Sequence, residues 1–78
     1  MGAFVDGSFE LTNRQLEVLK LIADGLKNED IARRLFITKH TVKAHICSLY
    51  EIFDVNCRVT LVNKALKYGI ISLNNVQT

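Results

Sequence analysis

Apolar residues along the middle of this chain return every three or four positions, and the breaks between those stretches fall where helix caps stand. Val18, Leu19, Ile22 and Ala23 keep helical spacing behind Thr12 and Gln15. At that separation Thr12 and Gln15 form a capping box, in which each side chain accepts from the other residue's backbone N–H. Gly25 supplies the left-handed residue that ends such a helix, so the pattern predicts a first helix near 13–24. Asn28 is a good N-cap for a second, short helix, and Glu29 and Asp30 in its first turn complement the positive end of the helix dipole. That helix turns Ile31, Ala32 and Leu35 inward and stops around Leu35, because Phe36-Ile37 lead into a fresh cap at Thr38. Two helices separated by about three residues have the spacing of a helix-turn-helix, with the small Ala32 at the crossing point.

A third helix is predicted from Lys39 to about Phe53. Stepped at about 100° per residue, Val42, Ile46, Leu49 and Phe53 fall within an arc of about 60°, whereas Lys39, His40, Lys43, Ala44 and Cys47 fall on the other side within about 140°. One face is core, and the other is basic and small. Asn56 caps a fourth helix in which Val62, Ala65 and Leu66 face inward, and Gly69 closes it before Ile70 and Ile71. Residues 1–10 show no period and read as a flexible leader; 72–78 read as a tail. The fold class is all-α, a four-helix bundle over residues 11–71 that contains a helix-turn-helix.

Composition agrees with this reading. The 78 residues hold no proline or tryptophan and four glycines, at 49% hydrophobic content, which suits one small helical core rather than a turn-rich sandwich or a disordered chain. The net charge of +2 says little, but its distribution says more. Lys27, Arg33, Arg34, Lys39 and Lys43 face only Glu29 and Asp30 across residues 27–50, while the rest of the chain is slightly acidic. Cys47 and Cys57 match neither a redox pair nor a zinc framework and read as free thiols of a reducing cytoplasm. No apolar run approaches the roughly 18 residues that span a bilayer, so no membrane association is expected. His40 and His45 have no Cys, Asp or Glu at a matching spacing, so no metal is expected, and no cofactor. Tyr50 and Tyr68 read as partial core residues with hydroxyls in water. No nucleophile, base and orienting group can be proposed together, which argues against an enzyme.

A helix that buries one face and shows Lys, His, Ala and Cys on the other suits the major groove of double-stranded DNA. The groove is about 12 Å wide, small residues let the backbone approach, and lysine donates to guanine O6 and N7. A lysine-bearing face can also be mere solvated surface; the short preceding helix and the tight Phe36–Thr38 link favour the groove reading.

The string LTNRQLEVLKLIADGLKNEDIARRLFITKHTVKAH, followed by an Asp54-Val55-x-x-Arg58 stretch and KYGII, resembles the LuxR/NarL/GerE-type DNA-binding domain of bacterial transcription regulators. The resemblance runs from Leu11 to Ile71. It implies base contacts from Lys43, Ala44 and Cys47 and phosphate contacts from Thr38, Thr41, His45 and the helix start around Asn28; Lys39, a peripheral phosphate contact, and His40 join this DNA-binding set by their place on the same helix face. It further implies a homodimer on DNA paired through the fourth helix, whose remaining surface carries Val59, Asn63 and Lys67, and RNA polymerase as a further partner. Such domains serve as the effector part of response regulators or stand alone in the GerE manner. Three positions depart from the family's pattern. Gln15 replaces the usual Glu, which keeps the cap but removes an ion pair with a group such as Arg58. Cys47 is a poor donor, and Ile52 stands where many relatives carry Lys. Arg14 and Arg58 are expected to form internal ion pairs that lock the first helix to the fourth, rather than to touch DNA.

Two other readings compete. A promoter-recognition domain such as region 4 of a sigma factor shares the Leu-Thr start, but the TVKAH string lacks the Arg-rich recognition helix of that class. From outside DNA binding comes a protein-interaction module that kept the fold and lost DNA binding, suggested by Cys47 and Ile52.

Overall fold

The computed structural model describes residues 10–72, so most of the leader and most of the tail lie outside the described residues. Among the described residues four helices follow one another: α1 (Asn13–Ala23), α2 (Asn28–Leu35), α3 (Lys39–Phe53) and α4 (Arg58–Lys67). None is long and apolar enough to cross a membrane.

The helix ends follow from their local chemistry. At the start of α1, Gln15 N donates to Thr12 Oγ1 at 3.1 Å and Thr12 N donates to Gln15 Oε1 at 3.0 Å, so two otherwise orphaned donors are satisfied. At its end Gly25 adopts φ +92°. That conformation lets Gly25 N reach Ile22 O and Leu26 N reach Leu21 O, the paired bonds of a Schellman turn. The same device closes α4, where Gly69 N donates to Leu66 O and Ile70 N to Ala65 O. In α3, Thr38 caps the N-terminus by accepting from Thr41 N at 3.1 Å.

Two cap assignments from sequence are corrected. Lys27, not Asn28, is the N-cap of α2, and it makes no side-chain cap bond. Asn28 is the first helical residue because its amide oxygen is engaged elsewhere, by Arg58. Cys57, not Asn56, is the N-cap of α4 and makes no side-chain cap bond; its Sγ lies 3.2 Å from the Thr60 hydroxyl.

Helix α3 is central and touches each of the other three. Its Val42, Ile46, Leu49 and Phe53 are buried, as their spacing requires, and share one core with Leu11, which precedes α1, and with Val18, Leu19, Ile22, Ile31 and Ala32 of the first two helices. Helix α4 is turned from the expected orientation. Leu61 and Ala65 are its fully buried residues, while Val62 and Leu66 are only half-buried. Starting the helix at Arg58 puts Arg58, Leu61 and Ala65 on one face at three- and four-residue steps, and Val62 and Leu66 flank it.

Candidate nucleic-acid interface

With one side of α3 committed to the core, the other side is fixed outward. Lys39, His40, Lys43, Ala44 and Cys47 are exposed along it, and Thr41 and His45 lie half-buried at its margin. Rotating α3 to hide these residues would expose Val42 and Leu49, each now fully buried, at a cost of about 1.5–3 kcal/mol per side chain. Packing energy therefore sets the direction of the basic face.

The helix-turn-helix geometry brings the start of α2 beside the first half of α3. Between them lies an open concavity of about 530 Å³, lined by Lys27, Asn28, Glu29, Lys39, His40 and Lys43. Of the residues singled out from sequence, this feature gathers Asn28, Lys39, His40 and Lys43; Ala44 and Cys47 continue the exposed face farther along α3. Three lysines against one carboxylate make the concavity electropositive. No side chain caps α2; Asp30 N donates to the Lys27 carbonyl, so the backbone N–H groups of Asn28 and Glu29 are the ones available to an anion, which the helix dipole also favours. Lys27 was not assigned from sequence. Its signal was its place in the basic block directly before the second helix.

Thr38 and Thr41 do not play equal parts. Thr38 Oγ1 accepts from Thr41 N and donates its own proton to Thr41 Oγ1 at 3.0 Å. The Thr41 hydroxyl therefore keeps its proton for an outside acceptor, whereas the Thr38 proton is used within the cap.

The arginines also differ from expectation. Arg14 pairs with Glu17 at 3.3 Å within α1, and no ion pair among the described residues joins α1 to α4. Arg58 instead donates from Nη1 to Asn28 Oδ1 at 2.8 Å and from Nη2 to the Leu26 carbonyl at 2.6 Å. Gln15, spent on the cap of α1, is no partner for it. Lys64 of α4 donates to the Phe53 carbonyl at 2.8 Å, which satisfies an acceptor at the last turn of α3. The fourth helix thus holds the helix-turn-helix pair at both ends, through Arg58 at the start of α2 and Lys64 at the end of α3.

On its outer side α4 exposes Val59, Asn63 and Lys67, with Val62 and Leu66 half-exposed beside them. Cys47 and Cys57 are free and exposed. The hydroxyl of Thr60 holds the Cys57 thiol below its ordinary pKa. Among the described residues no three His, Cys, Asp or Glu side chains cluster as metal ligands would.

A short α2, a tight link, and an α3 whose free face is basic and small define a helix-turn-helix DNA-binding module of a transcription regulator. Residues 10–65 match the family described as bacterial regulatory proteins, luxR family, and the chain belongs to that family. It is 38% identical over 64 residues to the response regulatory protein YgeK of Escherichia coli (strain K12), covering 82% of this chain and 44% of that protein. It is 44% identical over 61 residues to the oxygen regulatory protein NreC of Staphylococcus haemolyticus, covering 78% of this chain and 28% of the relative. Among solved structures, the response regulator ChrA of a heme-sensing two-component system aligns with a TM-score of 0.75 at 32% identity, over 77% of this chain and 30% of the other. The Vibrio cholerae VqmA dimer, a LuxR-type receptor, aligns with a TM-score of 0.79 at 28% identity, over 99% of this chain and 36% of the other. The chain spans less than half the length of these curated relatives.

Proposed function

We propose that residues 11–71 read a double-stranded DNA site by laying α3 in the major groove, as the effector module of a response regulator acting in the cytoplasm. The observation that carries this reading is the outward basic face of α3 beside the uncapped start of α2. Lys43, at the exposed centre of that face, donates to a base edge, Ala44 packs against a thymine methyl, and Cys47 adds a small, weak contact. Asn28, Thr38, Thr41, His45, Lys39 and His40 meet the backbone, with Thr41 the better hydroxyl donor of its pair. YgeK is described as a response regulatory protein and ChrA as a response regulator, which favours the effector role over a free-standing regulator.

Two copies bind one site and pair through Val59, Asn63 and Lys67 of α4, with Val62 and Leu66 widening the apolar part of the seam. One module of this size makes a modest DNA interface, and a two-fold pair doubles it. The VqmA relative is itself described as a dimer. RNA polymerase is a partner for the surfaces left free on DNA.

Titration of the chain with a mixed-sequence duplex at low and high salt tests the reading, since a DNA module binds and weakens steeply as salt rises. Lys43→Ala is expected to weaken specific binding by about 1–3 kcal/mol, and Lys39→Ala to weaken all sequences alike and lower the salt slope by about one unit. Equal, sequence-independent losses from both would show that α3 reads no bases. Sedimentation with an inverted-repeat duplex, repeated with Val59→Asp, tests the pair. One copy per duplex at saturation, or cooperativity that survives Val59→Asp, rules out the α4 seam.

A further inference from the structure

The bond between Arg58 and Asn28 joins the fourth helix to the concavity, and its chemistry fixes which way the Asn28 amide faces. A guanidinium only donates, so the Asn28 atom 2.8 Å from Arg58 Nη1 must be the oxygen. The amide NH2 is then the other end, and Asn28 lines the concavity beside Lys39, His40 and Lys43. Among the described residues nothing accepts from that NH2. Arg58 itself has no carboxylate within ion-pair distance among the described residues, so its charge is not neutralised. Its second bond, to the Leu26 carbonyl, anchors the guanidinium on the link between α1 and α2, so the fork cannot turn away from Asn28.

We propose that Arg58 is a positioning residue for the DNA backbone contact: it holds the Asn28 amide with its oxygen turned to the guanidinium and its NH2 presented to a phosphate seated in the concavity of Lys27, Lys39, His40 and Lys43. The inference rests on the DNA-binding reading above. It goes further by giving a residue of α4, outside the helix-turn-helix, control over a contact made by α2. The charge-assisted bond also polarises the amide, which makes its NH2 a stronger donor to an anion.

Asn28→Asp separates this role from a structural one. An aspartate keeps an oxygen for Arg58, gains an ion pair and suits the first turn of a helix, so the melting temperature should hold or rise. The group facing the concavity becomes a carboxylate oxygen, and affinity for a short mixed-sequence duplex should fall by about tenfold or more, independent of sequence. Arg58→Met and Arg58→Lys then probe the positioning itself. If Arg58 acts through Asn28, Arg58→Met lowers affinity in the parent chain and much less in Asn28→Ala, and Arg58→Lys restores only part because a single ammonium cannot hold both partners. Duplex affinity unchanged in Asn28→Asp, or equal losses from Arg58→Met in both backgrounds, would overturn the proposal. If Arg58→Met does not fold, Asn28→Asp decides alone. A parent chain that binds no duplex at low salt overturns the DNA-binding reading, and the proposal with it, and this outcome is visible before any variant is made.

Discussion

The orientation of α4 can be tested by a paired truncation, Leu61→Ala against Val62→Ala. Leu61 is fully buried and belongs to the core shared with α3, whereas Val62 is half-buried on the flank. Leu61→Ala removes three carbons from that core, worth about 0.8 kcal/mol each by transfer, and leaves a cavity that adds to the loss. The expected cost is about 3 kcal/mol or more. For a domain of this size each kcal/mol moves the melting temperature by about 4–8 °C, so the midpoint should fall by about 12–24 °C. Set against a total stability on the order of 5 kcal/mol for so small a core, the variant should be close to unfolding at physiological temperature. Val62→Ala removes two carbons that are already partly in water and should cost about 1 kcal/mol. Thermal melts followed by circular dichroism, with urea titration as a second measure, read both. A larger loss for Val62→Ala than for Leu61→Ala would mean that α4 is rotated by about one residue, roughly 100°, and that the face drawn from Val62, Ala65 and Leu66 was right.

Two further outcomes follow from single side chains. Phe36 is 94% exposed and sits at φ 59°, a conformation that costs an L-residue about 1–2 kcal/mol and a glycine none; allowing for glycine's greater freedom when unfolded, Phe36→Gly should raise stability by about 0.5–1 kcal/mol, and a calorimetric midpoint that falls instead would show that the ring is seated against something. Burial raises the pKa of Tyr50, so on titration into alkali the unfolded chain loses that proton first. The contribution is intact below about pH 10 and declines above it, and Tyr50→Phe should flatten that part of a stability profile measured by denaturant; an unchanged profile would remove Tyr50 as its source.

Much of this module is local in origin and so was legible in the sequence. The box of Thr12 and Gln15, the Thr38 cap and the stop at Gly25 act through bonds spanning three to five residues, and such bonds depend little on the rest of the chain. The faces of α3 were legible for a related reason. A helix of 15 residues carries four buried positions at regular spacing, so its period is strongly determined, and its basic side follows by exclusion. The resemblance in the run from Leu11 to Ile71 supplied the class of partner, which periodicity alone left open between a groove-reading face and a solvated one.

Tertiary structure decided what depends on residues far apart in the chain. Asn28 has the chemistry of an N-cap, but Arg58, thirty positions later, draws its oxygen away and leaves Lys27 as the cap without a side-chain bond. Arg58 was expected to meet a carboxylate of α1; the nearest acceptors in space are an amide and a backbone carbonyl, which only the docking of α4 could reveal. The face of α4 was misjudged because its helix has 10 residues and several apolar side chains on adjoining positions, so more than one rotation satisfies the pattern. Docking onto the other helices chose the rotation that buries Leu61 and Ala65 completely and leaves Val62 and Leu66 half-buried on the flank. Local bonds and a strong period fix an element from its own residues; a weak period, or a polar group with partners in another helix, is settled by the competition of contacts that exists only once the helices have met.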